Sequence, residues 1–314
     1  MATPNVDFDA ILTTTLKNYN KQLTDNVFSA RPLAYFLKRK DKIRVIDGGA
    51  KIVEPLIYAQ NTTAGSYDAY DTIAITPQEG ISAAEYSWKQ YAVSIAISGI
   101  EEAKNNGQAA IINLLEAKVM QAEETITEQF DVMFFGDGTG NSNKNWNGLG
   151  NLVEASGTVG GINRATVGNE FWRSYEENTA TALTIAQLNT GYNTVSVGND
   201  HPDFEITTQA LFEKYEALLQ PQLRFTDTKT ADGGFQNLLH KTAPVMFDTN
   251  TPAGNWYFLN TKYIKLVGHK DVWFKNTDFV RPTNQDARYA QILCYGELTA
   301  SNCKRLGKLT AKTA

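Results

Sequence analysis

The stretch from Gly107 to Phe135 constrains the fold of this chain more than any other. Ile112, Leu115, Val119, Ala122, Ile126, Phe130 and Met133 recur every three or four residues, with Glu116, Lys118, Glu123, Glu124 and Glu128 around them. That spacing predicts one helix of ~28 residues, about 40 Å long at 1.5 Å per residue. It carries a single apolar stripe and no sustained a/d seam, so the helix is expected to lie across a sheet and not in a coiled coil.

Strands flank it. Ile43 and Val45 lead into a turn at Asp47-Gly48-Gly49, and Ile52 to Tyr58 reads as a strand that Pro55 confines to an edge. Gln60 to Thr72 is polar and turn-rich. From Ile81 to Ser98 the chain alternates, with Tyr91, Val93, Ile95 and Ile97 on one face, whereas Tyr86 and Trp88 have the opposite parity. The change of parity predicts a bulge or bend between Trp88 and Tyr91. Upstream, Phe8, Ile11, Leu12, Leu16 and Tyr19 suggest a helical or extended arm, which Pro32 interrupts. The basic cluster Lys38-Arg39-Lys40, with Lys42 and Arg44, fits a solvated or subunit-contacting face better than a nucleic-acid patch, since few aromatics are interleaved.

Residues 151–264 read as a separate α/β lobe. A helix starts at Thr181 or Thr184, a strand at Phe204, and a second helix runs from Ala210 until Pro221 stops it. Val245-Met-Phe and Trp256-Tyr-Phe-Leu are buried strand runs. Val272 to Phe279 and Ala290 to Leu298 read as final strands, and the basic tail after Lys304 as loose.

Composition closes off several functions. The 314 residues carry 29 Lys+Arg against 34 Asp+Glu, a net charge of −5, which argues against a protein that mainly grips phosphates. Threonine (33) and asparagine (26) favour strands, turns and caps. No apolar run approaches the ~18 residues of a membrane span, and no basic residue or apolar core before Lys17 suggests a signal peptide. Cys294 and Cys303 are too few for a disulfide framework or a cysteine zinc site, and read as small buried hydrophobes.

Chemistry-bearing motifs are missing as well. Gly136 to Gly150 lacks the Gly-Lys-Ser/Thr ending and the glycine spacing of a phosphate loop, and has Gly148 where a calcium loop needs a glutamate. It reads as a helix C-cap and long turn. His201, His240 and His269 stand singly, His201-Pro-Asp203 reads as a strand-entry turn, and Glu101-Glu102 and Glu123-Glu124 diverge by about 100° on helices. There is no G-x-S-x-G. The sequence therefore offers no catalytic, cofactor-binding or metal-binding residues, and an enzyme is not expected.

The order of pieces is informative: an arm, a two-stranded excursion with a polar tip, a long helix, a Gly/Asn turn, an α/β lobe and returning strands. With Arg31-Pro-Leu-Ala-Tyr-Phe-Leu, Gly49-Ala-Lys-Ile-Val-Glu-Pro-Leu, Gly148-Leu-Gly-Asn-Leu-Val, His201-Pro-Asp-Phe-Glu-Ile-Thr-Thr and Gln285-Asp-Ala-Arg-Tyr-Ala-Gln-Ile, it resembles the major capsid proteins of tailed phages across nearly the whole chain. The resemblance implies an α+β Hong-Kong-97-type capsid fold. Residues 1–44 would be the N-terminal arm, 45–90 the E-loop, 91–150 the P-domain with its spine helix at 107–135, 151–264 the A-domain, and 265–314 the returning P-domain strands and C-terminal tail.

It also implies a function: hexamers and pentamers building an icosahedral head shell around double-stranded DNA, made in the host bacterial cytoplasm and located in the virion. Its partners would be a portal, a decoration protein and a scaffolding protein, the last a separate chain because only about forty residues precede the E-loop. DNA would be contacted non-specifically at most, and no membrane is implied. A two-stranded arm cannot cover its own apolar side, so Tyr58, Tyr67, Tyr70, Ile73, Tyr86 and Trp88 are expected to contact a neighbouring subunit. In one family member an E-loop lysine forms an isopeptide bond with an asparagine of another subunit; here no lysine lies between Ile52 and Trp88, so that bond is not expected. A β-rich binding protein or other virion structural protein, and less so a hydrolase with a site in 151–264, remain alternatives.

Overall fold

A computed structural model describes residues 31–104, 108–219 and 238–314. Two sheets organise them. In the first, β1 (Ile43–Ile46) pairs in parallel with β12 (Ile264–His269), which pairs antiparallel with β14 (Ala287–Ala300). The fourteen-residue β14 also holds the short β13 (Lys275–Asn276) and all ten residues of β4 (Lys89–Ser98). The second sheet has the order β7 (Tyr175–Ala182), β15 (Gly307–Thr313), β11 (Trp256–Leu259), β8 (Phe204–Thr207), β10 (Ala243–Phe247) and β9 (Leu238–His240). Its inner strands β8 and β11 are buried along their whole length, β11 as expected of a continuous apolar run covered on both sides, and β8 with Glu205 and Thr207 buried between its apolar residues.

The long helix forms where the periodicity placed it, at Gln108–Phe135 (α3); Gly107 lies outside the described residues. The stripe Leu115, Val119, Ala122, Ile126, Phe130 and Met133 is buried. It packs on β4, whose Ile95 and Ile97 face inward while Ala92, Ser94 and Ala96 face out. Phe130 is the hub, its ring centroid 5.5 Å from Tyr91, 5.0 Å from Trp146 and 5.5 Å from Phe274. Ahead of β1, Pro32 does not break a helix but opens one, α1 (Pro32–Arg39), at the position where its missing N–H costs nothing. Phe36 of α1 stacks on Phe204 at 4.3 Å. The arm up to residue 30 lies outside the described residues.

Gly136 to Gly150 is the turn expected from its composition. Asn141, Ser142 and Asn143 take left-handed backbone angles, and the chain then folds back on the helix end. A Cβ at Gly148 would stand 2.3 Å from the Met133 carbonyl oxygen, so only glycine fits there. Glu297, buried on β14, pins the same loop by accepting from the backbone and side-chain amides of Asn147 at 2.7 and 3.1 Å.

In the α/β lobe the helix Ile185–Val195 begins at Thr184, whose hydroxyl and Gln187 form a capping box, and a second helix spans Gln209–Leu219. Pro221 lies outside the described residues.

Three expectations are corrected. The bend in the second excursion strand falls at Ser87–Trp88, between β3 (Ile81–Tyr86) and β4, because there the chain changes sheets. Val272 to Phe279 is mostly not strand: a helical turn and a left-handed Phe274 reduce it to the pairing of Lys275 and Asn276. The tail is not loose. Residues 307–313 form β15 between β7 and β11, and its lysines are buried against the acids of the lobe: Lys308 Nζ lies 3.4 Å from both Glu154 and Glu176, and Lys312 Nζ 2.7 Å from Glu177.

Candidate intersubunit surface

The excursion leaves the first sheet as a two-stranded ribbon of β2 (Ile52–Ile57) and β3, in register from Ile52 opposite Tyr86 to Ile57 opposite Ile81. Alternation splits it into two faces. Ile52, Glu54, Leu56, Ala84 and Tyr86 turn inward and are buried by the chain itself. Glu54 meets Lys265 of β12 at 2.7 Å and Arg44 of β1 at 3.7 Å. A small hairpin, Thr158–Val159 with Ile162–Asn163, covers Ala84; Gly160 accepts from Glu85 N at 2.9 Å, and a Cβ at Gly160 would lie 2.6 Å from that of Ala84.

The root is thereby clamped, and one expected contact residue is withdrawn. Tyr86 is 2% exposed. Its hydroxyl donates to the Ala300 carbonyl at 2.8 Å and accepts from the Ala300 amide at 3.1 Å. Burial raises its phenol well above the ordinary range. Nothing of Tyr86 is left for a neighbour, because the inner face of the ribbon has an intrachain cover. Trp88 is half committed: its ring stands edge-on to His269 at 5.4 Å and its indole N–H donates to Gly49 O at 2.8 Å.

Beyond the root the situation reverses. Tyr70 is 101% exposed, Ile75 92%, Ile57 83% and Ile81 78%, and Val53, Tyr67 and Ile73 are also more than half exposed. Tyr58 keeps an intrachain ring contact with Phe171, at 5.2 Å. Polar groups at the tip satisfy one another and hold its shape: Thr62 donates to Gln78 at 2.8 Å, and Asp68 and Asp71 close a turn. Sequence reasoning found Tyr67, Tyr70 and Ile73 but missed Val53, Ile57, Ile75 and Ile81. The signal for the strand residues was strand parity opposite to Ile52 and Leu56. From Ile52 to Trp88 there are five acids and no lysine or arginine; Lys51, at the base, is paired with Glu85 at 2.5 Å.

Groups capable of chemistry are committed elsewhere. His201 Nδ1 lies 3.1 Å from Pro202 O, while Asp203 accepts from Thr261 N and Oγ1 at 2.8 and 2.6 Å. A pair the sequence did not reveal, Glu205 and His240, is buried between β8 and β9 at 2.7 Å, with Trp256 donating to the other Glu205 oxygen at 2.7 Å. Burial pushes the Glu205 carboxyl up against those partners. The arrangement ties three strands, and the other His240 ring nitrogen lies 3.3 Å from Asn189 Oδ1. Among the described residues no group of three His, Cys, Asp or Glu could hold a metal ion, and no helix is long and apolar enough to cross a membrane.

Compared with known proteins, the sequence matches no protein-family model and no curated protein. The fold does have relatives among solved structures. It is similar to a chain of the cyanophage A-1(L) capsid asymmetric unit, with TM-score 0.63 and 16% identity over 87% of this chain and 91% of that one. A chain of the satellite phage P4 procapsid that includes the size determination (Sid) protein gives TM-score 0.56 and 11% identity, over 93% and 90% of the two chains. A chain of the holo-SrpI encapsulin complex from Synechococcus elongatus PCC 7942 gives 0.53 and 11%, over 88% and 87%. The α+β fold is that of phage capsid shells, which the encapsulin shares.

Proposed function

We propose that this protein is a tailed-phage major capsid protein, a structural subunit and not an enzyme, which assembles through hexamers and pentamers into a shell around double-stranded DNA. The observation that carries this is the ribbon: its root is clamped to its own chain while its tip and outer face expose large apolar side chains on a capsid fold. An apolar surface of that kind marks an interaction site. Heterologous contacts repeated around an axis close into rings and shells. In this reading residues 1–44 are the arm, 45–90 the E-loop, 91–150 the P-domain with its spine helix, 151–264 the A-domain and 265–314 the returning strands, of which the last, β15, joins the sheet of the A-domain. Tyr58, Tyr67, Tyr70, Ile73 and the outer part of Trp88 lie on the neighbour. Scaffold, portal and decoration proteins belong to the same proposal, as does location in the virion after synthesis in a bacterial cytoplasm.

The test is negative-stain microscopy of the expressed chain beside a variant lacking Gln60–Thr72. Rings or shells from the first and a folded single species from the second are expected; shells of normal yield from the deletion would sink the assignment. Because an encapsulin shares the fold, the contents of purified particles discriminate further. Packaged DNA supports the phage reading, and an enclosed protein cargo overturns it.

A further inference from the structure

Where α3 nears its end, the chain buries carboxyl groups from two distant segments. Asp131 on the helix is 1% exposed and Asp248, on the turn after β10, is 3% exposed. One oxygen of each carboxyl is filled. Asn250 Nδ2 donates to Asp131 Oδ2 at 2.7 Å and to Glu128 Oε1 at 3.1 Å, and the Asn250 amide donates to Asp248 Oδ1 at 3.0 Å. Arg31, just before α1, pairs with Glu128, and its Nε lies 3.8 Å from Asp131 Oδ2. One oxygen of each carboxyl is left over. Asp131 Oδ1 and Asp248 Oδ2 are both buried, both without a donor, and the two side chains are within hydrogen-bond reach of each other.

Two ionised carboxylates cannot share a dry contact, because each is an acceptor only and their charges repel. Arg31 and Glu128 face the pair, and Arg31 is already paired with Glu128, so its pull on Asp131 is the smaller influence. We propose that Asp131 and Asp248 share a single proton, and that this acid–carboxylate pair is a pH-sensitive latch joining the arm, the long helix and the second sheet. One proton turns two orphan acceptors into an O–H···O bond. When it leaves, two buried negative charges face each other across the joint between helix and sheet. Burial first, and the Asp248 charge second, push the Asp131 carboxyl up to about 7.

The sign follows. The folded chain holds a proton that the unfolded chain releases near the ordinary aspartate range, so the latch stabilises fully below about pH 4 and is lost as pH rises through about 7.

The experiment compares unfolding of the full chain, Asp131→Asn and Asp248→Asn between about pH 5 and about pH 7, with a chelator present. An amide can donate to the remaining carboxylate at any pH in this range. The wild-type unfolding constant is expected to rise relative to either variant by roughly 10- to 100-fold across those two pH units, one proton per decade at most. Infrared difference spectra give a second readout: a carboxylic-acid carbonyl band in the wild type that is lost on titration from pH 6 to pH 8 and is missing from the Asp131→Asn spectrum, which separates it from Glu297, whose carboxyl burial also holds up. Parallel profiles for all three proteins, or absence of that band, would overturn the latch. So would recovery of wild-type stability at pH 8 by calcium or magnesium, which would make the pair a cation site.

Discussion

Replacing Tyr70 and Ile75 together by serine separates stability of the subunit from cohesion of the shell. Both side chains are essentially fully exposed, so their truncation removes no buried contact from the isolated chain. The unassembled variant should unfold in urea within about 0.5 kcal/mol of the parent, the usual range for surface changes. Against a neighbour each side chain would be desolvated, and burial of a residue of this size stabilises by about 1.5–3 kcal/mol. The pair therefore contributes about 3–6 kcal/mol per docked ribbon. At about 1.4 kcal/mol per tenfold, the concentration at which shells first form should rise at least ~100-fold. Light scattering across a concentration series, with sedimentation to size the products, measures that threshold. An unchanged threshold would refute the placement of the tip on a neighbour, and a large loss of stability in the free subunit would refute its exposure.

The mirror experiment is Tyr86→Phe. It orphans the buried amide and carbonyl of Ala300 and should cost the subunit about 1–3 kcal/mol in urea melts while leaving the assembly threshold of the folded fraction unchanged. Lys312→Ala removes an ammonium held by Glu177, the Thr179 carbonyl and the Thr181 hydroxyl, and should cost about 2–3 kcal/mol, less than a fully buried pair because Glu177 keeps access to water. Mature particles boiled in denaturant should run as one band of monomer mass, since a cross-link from the excursion needs an amine that Ile52 to Trp88 do not contain; a ladder of multimers would contradict this.

Sequence was legible where a local period meets a single environment. The stripe from Leu115 to Met133 faces one neighbour throughout, and the strands at Phe204 and Trp256 are buried on both faces, so local pattern alone identifies them. It was illegible where the environment is set by a remote partner. Gly307-Lys-Leu-Thr-Ala-Lys-Thr reads as a solvated tail because the acids that neutralise Lys308 and Lys312 sit more than a hundred residues earlier. Tyr70 and Tyr86 are the same residue in the same excursion with opposite fates. Only the register that sets Tyr86 opposite Ile52 tells them apart. The carboxyl pair of Asp131 and Asp248 left no trace in spacing, since neither residue lies in a motif. Trp88 carried the parity signal for the bend, and the bend includes it, at Ser87–Trp88, where the chain changes sheets and not after it.

The place of β15 bears on how the chain is made. It lies between β7 and β11, and among the described residues β7 has no other partner in the sheet. While a ribosome is still translating the segment before Gly307, β7 is stranded and β11 presents an open, apolar edge to its surroundings. At about 5–20 residues per second that state lasts seconds, and open edges of this kind pair with whatever strand arrives first. Stalled nascent chains that end before residue 307 should be digested by a protease that released chains resist; equal resistance would refute the point. On a crowded polysome the unfinished copies stand close together, each lacking the one strand that would make it safe to its neighbours.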